Sequence, residues 1–254
     1  MNIEVEFLGT GTSVGVPVIG CNCKVCRSAD EHDKRLRASV VVRTLDKKIL
    51  IDCGPDFRTQ ILRASDRGID ALLITHIHYD HTGGIDDLRP YCYRTPRFPI
   101  YARADVLSDL YGKMSYSFSK NPYPGAPVFD AFEIESEEFE CCGLRIQPLP
   151  VYHGKLLING YRIGDFAYIT DAKTIPQETL ALMRGVKVLV VNALRYTEHP
   201  SHMTVDAALK SVEEVKPQRA YFTHMSHDIG LHDEVNRQLP HGVELAYDGQ
   251  IVRV

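Results

Sequence analysis

Apolar and acidic positions alternate from residue 3 to residue 8 (IEVEFL), and the turn-rich stretch GTGTSVGVPVIG follows. A period of two running into glycines predicts a strand that enters a loop. Two β-branched runs come next, ASVVVR (38–43) and KILIDC (48–53), and the short TLDK between them makes the pair a hairpin. Residues 55–67 open on Pro55 and carry Phe57, Ile61 and Leu62 at helical spacing. ALLIT (71–75) is a wholly apolar strand that runs straight into HIHYDH. Helical periodicity returns at 104–115 and at 204–215, where Thr204 is suited to an N-cap. Further short strands are expected at 144–149, 161–164, 166–170, 187–192, 219–223 and 242–247, and NPYPGAP (121–127) reads as a loop. No linker, low-complexity run or repeat divides the pattern. The whole chain, 1–254, is expected to form one α/β or α+β domain.

Composition narrows the class. Of 254 residues 44% are apolar and 24% charged, which suits a globular protein and excludes disorder, collagen and coiled coil. The net charge of −4 leaves no polybasic footprint for nucleic acid or anionic membrane. No apolar run approaches the roughly 20 residues of a membrane helix, and the N-terminus lacks a signal-peptide pattern, so a cytoplasmic location is expected. Seven cysteines, an odd number, argue against a disulfide scaffold. Cys21, Cys23 and Cys26 are crowded as metal ligands are, while Cys53, Cys92, Cys141 and Cys142 read as ordinary cysteines.

His76, His78, Asp80 and His81 place four ligand-type side chains within six residues, directly beyond a strand end. They cannot all share one face of a helix or strand, but in a loop they can splay toward two centres. Imidazole nitrogen and carboxylate oxygen suit Zn, Mn or Fe. The bland alternative is a His-rich surface loop. Asp52, His153, Asp171 and His224 also sit just past apolar strands, where α/β sheets gather their sites. Singly, each reads as a hydrogen-bonded structural residue; together they strengthen the case for ligation.

With these residues in place, the chain resembles the metallo-β-lactamase superfamily, whose HxHxDH hallmark is HIHYDH here. The resemblance implies an αββα sandwich, two mixed sheets flanked by helices, with a two-metal site at one edge. It implies that His76, His78 and His153 hold one metal, that Asp80, His81 and His224 hold the other, and that Asp171 bridges them. Asp80 is carried over as a catalytic residue as well. Asp52 resembles the aspartate that braces the ligand loop without being a ligand. Such metal pairs make hydroxide available near neutral pH, and the superfamily's chemistry spans phosphodiesters, thioesters and amides.

Cys21, Cys23 and Cys26 offer three thiolates, and His227 is the candidate for a fourth ligand, completing a structural Cys3His zinc site. A free-thiol cluster is the alternative. FLGTGTSVGVPVIGCNCKVC, with RLRAS at 35–39, resembles the PhnP-type cyclic phosphodiesterases, relatives of the tRNA 3′-processing endonucleases. That likeness implies two catalytic divalent ions (Mn or Zn, or Fe), one structural zinc and a catalytic histidine before a helix, matched by His202. It implies attack by a metal-bridging hydroxide on a small phosphodiester of the ribosyl 1,2-cyclic phosphate or 2′,3′-cyclic nucleotide type, with His202 stabilising or protonating the departing oxygen. A homodimer is a further expectation, and nucleic acid is expected only as a cyclic nucleotide product. The alternatives are a tRNA 3′-processing endonuclease and a thioesterase of the glyoxalase II kind; no Lys/Arg-rich RNA-gripping insertion favours the first. His199 is a second candidate for the role of His202. Arg195 and Tyr196 read as a solvated loop, with phosphate contact as the alternative. The glycines of GTGTSVGV match neither GxGxxG nor a Walker pattern. His32, His232 and His241 match no motif position, and residues 90–150 are expected to shape the pocket without revealing its chemistry.

Overall fold

In the strand Ser39–Arg43, Val40 and Val42 pack on one side and Val41 on the other, and both sides are buried. The next strand repeats this, with Ile49 and Ile51 on the first side and Leu50 on the second. Apolar residues on both faces require cover on both faces, which a sheet obtains from a second sheet and a helical layer. The computed structural model of the chain describes residues 2–95 and 97–254 and shows that arrangement.

The first half contains β1 (Glu4–Gly9), β2 (Ser39–Arg43), β3 (Lys48–Ile51), α1 (Phe57–Arg63), β4 (Ala71–Leu73), α2 (Tyr79–Thr82), α3 (Arg89–Cys92), β5 (Phe98–Ala102), α4 (Ala104–Lys113) and β6 (Phe129–Glu133). The second contains β7 (Phe139–Cys141), β8 (Leu144–His153), β9 (Leu156–Ile163), β10 (Phe166–Tyr168), α5 (Gln177–Leu182), β11 (Val188–Asn192), α6 (Val205–Val215), β12 (Arg219–Thr223), α7 (His232–Asn236), β13 (Val243–Leu245) and β14 (Ile251–Arg253). One sheet has the order β14-β1-β2-β3-β4-β5-β6 and the other β13-β12-β11-β10-β9-β8-β7. In the first, pairing is antiparallel from β14 to β3 and parallel from there to β6. In the second it is antiparallel from β7 to β10 and parallel to β13, so the two sheets share one pattern. Sequence alone shows no such repeat.

Val5, Phe7, Val40 and Ile51 of one sheet meet Ile146, Tyr161, Tyr168 and Val190 of the other between the layers. Outside, α1 and α4 cover the first sheet through Phe57, Ile61, Val106 and Leu110. On the far side α5, α6 and α7 cover the second through Leu180, Val205, Ala208 and Val235. The αββα order expected from sequence is the one found. Among the described residues no helix is long and apolar enough to cross a membrane.

Two departures from the sequence reading have physical causes. β8 runs on to His153, through Pro148 and Pro150, because β7 pairs only with Leu144, Arg145 and Ile146. Beyond Ile146 that edge is largely free of ladder partners, so a missing proline N–H costs little. The stretch 90–150 supplies β5, β6 and β7 at the outer edges of both sheets; Pro99 in β5 and three acidic residues across β6 and β7 obscure the strand pattern.

Candidate metal centre

Five strand ends converge on one place: Asp52 follows β3, His76 and His78 follow β4, His153 closes β8, Asp171 lies beyond β10 and His224 follows β12. The one-turn α2 adds Asp80 and His81. Asp52, Asp171 and His224 take φ values of 64°, 58° and 56°. Such left-handed geometry costs a non-glycine residue about 1–3 kcal/mol and marks sites whose surroundings over-determine the backbone. Two glycines make the convergence sterically feasible. A Cβ on Gly54 would lie 2.0 Å from the Asp80 carbonyl oxygen, and one on Gly84 would lie 2.0 Å from the carbonyl oxygen of Gly54. Cys53 N–H donates to the His81 carbonyl at 2.8 Å and Gly84 N–H to that of Cys53 at 2.9 Å, clasping the two loops.

The ligand-type atoms here form two groups that share no residue, His76 with His78 and His153, and Asp80 with His81, Asp171 and His224, and a third, His153 with Asp171 and His202, that draws on both, each within 4.8 Å. His76 Nε2 and His78 Nδ1 are 3.0 Å apart. His81 Nε2 is 3.1 Å from Asp80 Oδ2 and 3.2 Å from Asp171 Oδ1. His224 Nε2 is 3.5 Å from Asp80 Oδ2 and 3.2 Å from Asp171 Oδ2. Asp171 Oδ2 is also 3.8 Å from His76 Nε2, so this carboxylate stands between the groups.

Outer partners orient these rings. Thr75 donates its hydroxyl to Asp52 at 2.9 Å and accepts from His76 Nδ1 at 2.9 Å. His81 Nδ1 donates to Asp52 Oδ2 at 2.7 Å, and His153 Nδ1 to the Ser201 carbonyl at 2.8 Å. Each arrangement leaves the Nε2 lone pair free, the tautomer that metal ligation requires. Asn192 braces the Asp171 turn by bonding both the N–H and the carbonyl of Ala172. Thr75, Asn192 and the Ser201 carbonyl were not singled out from sequence; only Thr75, adjacent to His76, and Asn192, ending an apolar strand, left a trace there.

The electrostatics fit bound cations. Burial pushes His76 well below the usual imidazole range and keeps it neutral. Burial opposes ionisation of Asp171, yet His224 and His81 hold it well below the carboxylate range. Burial likewise opposes charge on His81, but Asp171, Asp52 and Asp80 draw its pKa well above the ordinary value. Among the described residues these three carboxylates have only histidines as ion-pair partners. His81 Nε2, facing two of them, is buried without a hydrogen-bond partner. Buried carboxylates need compensating charge, and this donor set could hold divalent metals.

His202 stacks on His224 with ring centroids 4.9 Å apart and lies 4.6 Å from His153. Its Nδ1, without a hydrogen-bond partner, is 3.9 Å from Asp171 Oδ2. His199 is one ring farther out, 4.9 Å from His202, and its Nδ1 accepts the Ser201 N–H. Arg195 and Tyr196 lie on an exposed loop, as expected, and the Arg195 guanidinium is tied there to Thr197 O, Glu198 O and Asp228. His32 and His232 lie together, where Arg35 donates to His232 Nδ1 at 3.2 Å.

The cysteine cluster is equally regular. Sγ of Cys21, Cys23 and Cys26 lies 3.4, 3.3 and 3.4 Å from His227 Nδ1. A tetrahedral zinc with usual Zn–S and Zn–N lengths has S···N edges of about 3.5 Å, so the four ligands fit that ion. The Cys26 N–H, with His227, draws the Cys23 thiol down to about 6, while burial and the neighbouring thiols push Cys26 up to about 11, so negative charge gathers on Cys23. One turn joins both places: His224 belongs to the first, His227 to the second, and Met225 between them is bonded to Thr10 and Thr12.

A family model described as a β-lactamase superfamily domain matches residues 47–225, which take in HIHYDH, His153, Asp171 and His224. The chain belongs to the metallo-β-lactamase superfamily. Within this superfamily it is 41% identical to the crystal structure of a diphosphatase from the PhnP family, with TM-score 0.92, covering 100% of this chain and 98% of that one. It is also 43% identical, over 246 residues, to an octanoyltransferase of Porphyromonas gingivalis strain ATCC BAA-308 / W83, covering 96% of this chain and 50% of the relative. The chain thus spans about half the length of that relative. Zinc-bound PqqB from Methylobacterium extorquens shares the fold at 20% identity, with TM-score 0.79, 99% of this chain and 100% of that one being covered. The chain has the superfamily's fold, and its clustered His and Asp side chains are groups that could hold divalent ions.

Proposed function

We propose that this metallohydrolase cleaves small phosphodiesters of the ribosyl 1,2-cyclic phosphate or 2′,3′-cyclic nucleotide type. The observation that carries the reading is the placement of Asp171 between two separate ligand groups, beside a Cys3His cluster. The likeness to a PhnP-family diphosphatase supports a phosphorus-centred substrate. His76, His78 and His153 would hold one divalent ion and Asp80, His81 and His224 the other, with Asp171 shared. Such a pair, Mn, Zn or Fe, supplies Lewis acidity and hydroxide near neutral pH. Cys21, Cys23, Cys26 and His227 would hold a structural zinc.

The protein's own groups supply the rest. Asp80, besides its part in holding the second ion, would accept from the attacking water and orient it. His202 would meet the departing oxygen through Nδ1, the nitrogen on the Asp171 side; burial and the adjacent His224 lower its pKa to about 3, so the neutral ring supplies a hydrogen bond. The His202 ring is held for this by its stacking on His224. The His153 Nδ1 bond to the Ser201 carbonyl holds that ring with its Nε2 aimed inward.

The test is turnover of bis-(p-nitrophenyl) phosphate and of a cyclic ribose phosphate by metal-replete protein, against a His78→Ala control. Hydrolysis above that control supports the reading, and none overturns it. A thioesterase of the glyoxalase II kind is the second reading. An octanoyl thioester in the same assay separates the two.

A further inference from the structure

The segment from Arg195 to Thr204 is a closed loop with a doubly stitched neck. Arg195 and Thr204 are bridged, Leu194 N–H donates to the Met203 carbonyl at 3.0 Å, and Val205 N–H to that of Arg195 at 3.0 Å. Its returning arm, just before the neck, carries two functional groups, His202 and the Ser201 carbonyl that orients His153. The Arg195 guanidinium holds the outgoing arm, Nε donating to Thr197 O and Nη2 to Glu198 O, each at 3.3 Å. Its remaining nitrogen, Nη1, leaves the loop altogether and donates to Asp228 Oδ2 at 3.2 Å. Asp228 follows His227, and its other oxygen, Oδ1, is 3.7 Å from His227 Nε2. Leu194, at the neck, is in turn held by the N–H and hydroxyl of Ser226. The catalytic loop and the cysteine cluster are therefore joined at two adjacent points, and the charged one is Arg195.

We infer that Arg195 is a positioning residue: through Asp228 it braces the loop that carries His202 and Ser201 against the Cys21/Cys23/Cys26/His227 cluster. The inference rests on the phosphodiesterase reading above. The planar guanidinium is the group for this task, because it offers several donors in fixed directions to two carbonyls and a carboxylate at once. Lysine has the charge but not the fork. The cysteine cluster then does more than stabilise the fold: it is the anchor from which His202 is aimed.

The test uses the metal-loaded protein and its Arg195→Gln, Arg195→Lys and Asp228→Asn variants, with three readouts: amide exchange over residues 196–204, zinc content, and kcat and KM on bis-(p-nitrophenyl) phosphate. Arg195→Gln is expected to retain its zinc, to exchange about tenfold faster across the loop, and to lose about tenfold in kcat with KM little changed, as a misaimed group does. Arg195→Lys is expected not to restore either property, and adding Asp228→Asn to Arg195→Gln to add less than its own single effect. Unchanged exchange overturns the brace, whether or not the wild type turns over. Faster exchange with unchanged kcat, or loss of zinc in Arg195→Gln, overturns the positioning role. Absence of wild-type turnover overturns the phosphodiesterase reading instead, and the exchange data still decide whether Arg195 holds the loop.

Discussion

His81 donates its Nδ1–H to Asp52 Oδ2 at 2.7 Å, and neither side chain is exposed to solvent. Asp52 therefore decides which face of the imidazole is free, while Thr75, on the same carboxylate, does the same for His76. One aspartate orients a ring in each ligand group.

Asp52→Ala is expected to weaken metal binding about 10–100-fold, as removal of an outer partner of a ligand histidine does. Competition with a chromophoric chelator measures this. An unchanged affinity would show that Asp52 is a structural residue alone.

His202→Ala is expected to lower kcat about 10²–10³-fold, the usual contribution of a positioned hydrogen-bond donor to a developing negative charge, and to retain the metals. Its Nδ1 lies close enough to Asp171 for loss of metal to be the competing outcome, and metal analysis of the variant distinguishes the two. Loss of metal would make His202 a ligand.

How far the sequence spoke depends on the element. The strands and the ligand-type residues at their ends were legible in the pattern, as in ALLIT before HIHYDH and AYFT before His224, while the αββα order followed from the resemblance that those motifs carry. Pro148 and Pro150 hid the length of β8, since whether a proline is tolerated depends on how far the neighbouring β7 extends. The left-handed turns at Asp52, Asp171 and His224 have no sequence signature, because contacts distant in the chain hold them. The tie between Arg195 and Asp228 was hidden for the same reason, since the two lie 33 residues apart.

Gly54→Ala is expected to destabilise the protein by about 1–3 kcal/mol or more, because its Cβ would sit 2.0 Å from the Asp80 carbonyl oxygen. Since Asp80 lies on α2, metal affinity should fall with the midpoint of thermal unfolding. Retained stability and affinity would contradict the close packing of these loops.

Asp248 gives a pH prediction away from the metal centre. Burial pushes its carboxyl up to about 6, against the opposing donors Leu36 N–H and Thr10. A raised folded-state pKa means that the native protein binds this proton more tightly than the unfolded chain does. The carboxyl's contribution is therefore full below about 4 and is lost as pH rises through 6. Nearby His232, lowered to about 4 by burial and by Arg35, runs the other way, its contribution lost as pH falls from 6.5 toward 4. The stability of wild type relative to Asp248→Asn should increase by up to about 3 kcal/mol as pH falls from 6 to 4. Urea unfolding of both proteins across that range measures it, and a flat or opposite trend would contradict the assignment.

The central claim, a two-metal hydrolytic site beside a separate zinc, is tested most directly by metal content measured alongside phosphodiester turnover, for wild type and Cys23→Ser. The account predicts about three metal ions per chain with turnover in the wild type. It predicts that Cys23→Ser loses one zinc and thermal stability while the other two ions stay. One metal or none after reconstitution, without turnover, would contradict it.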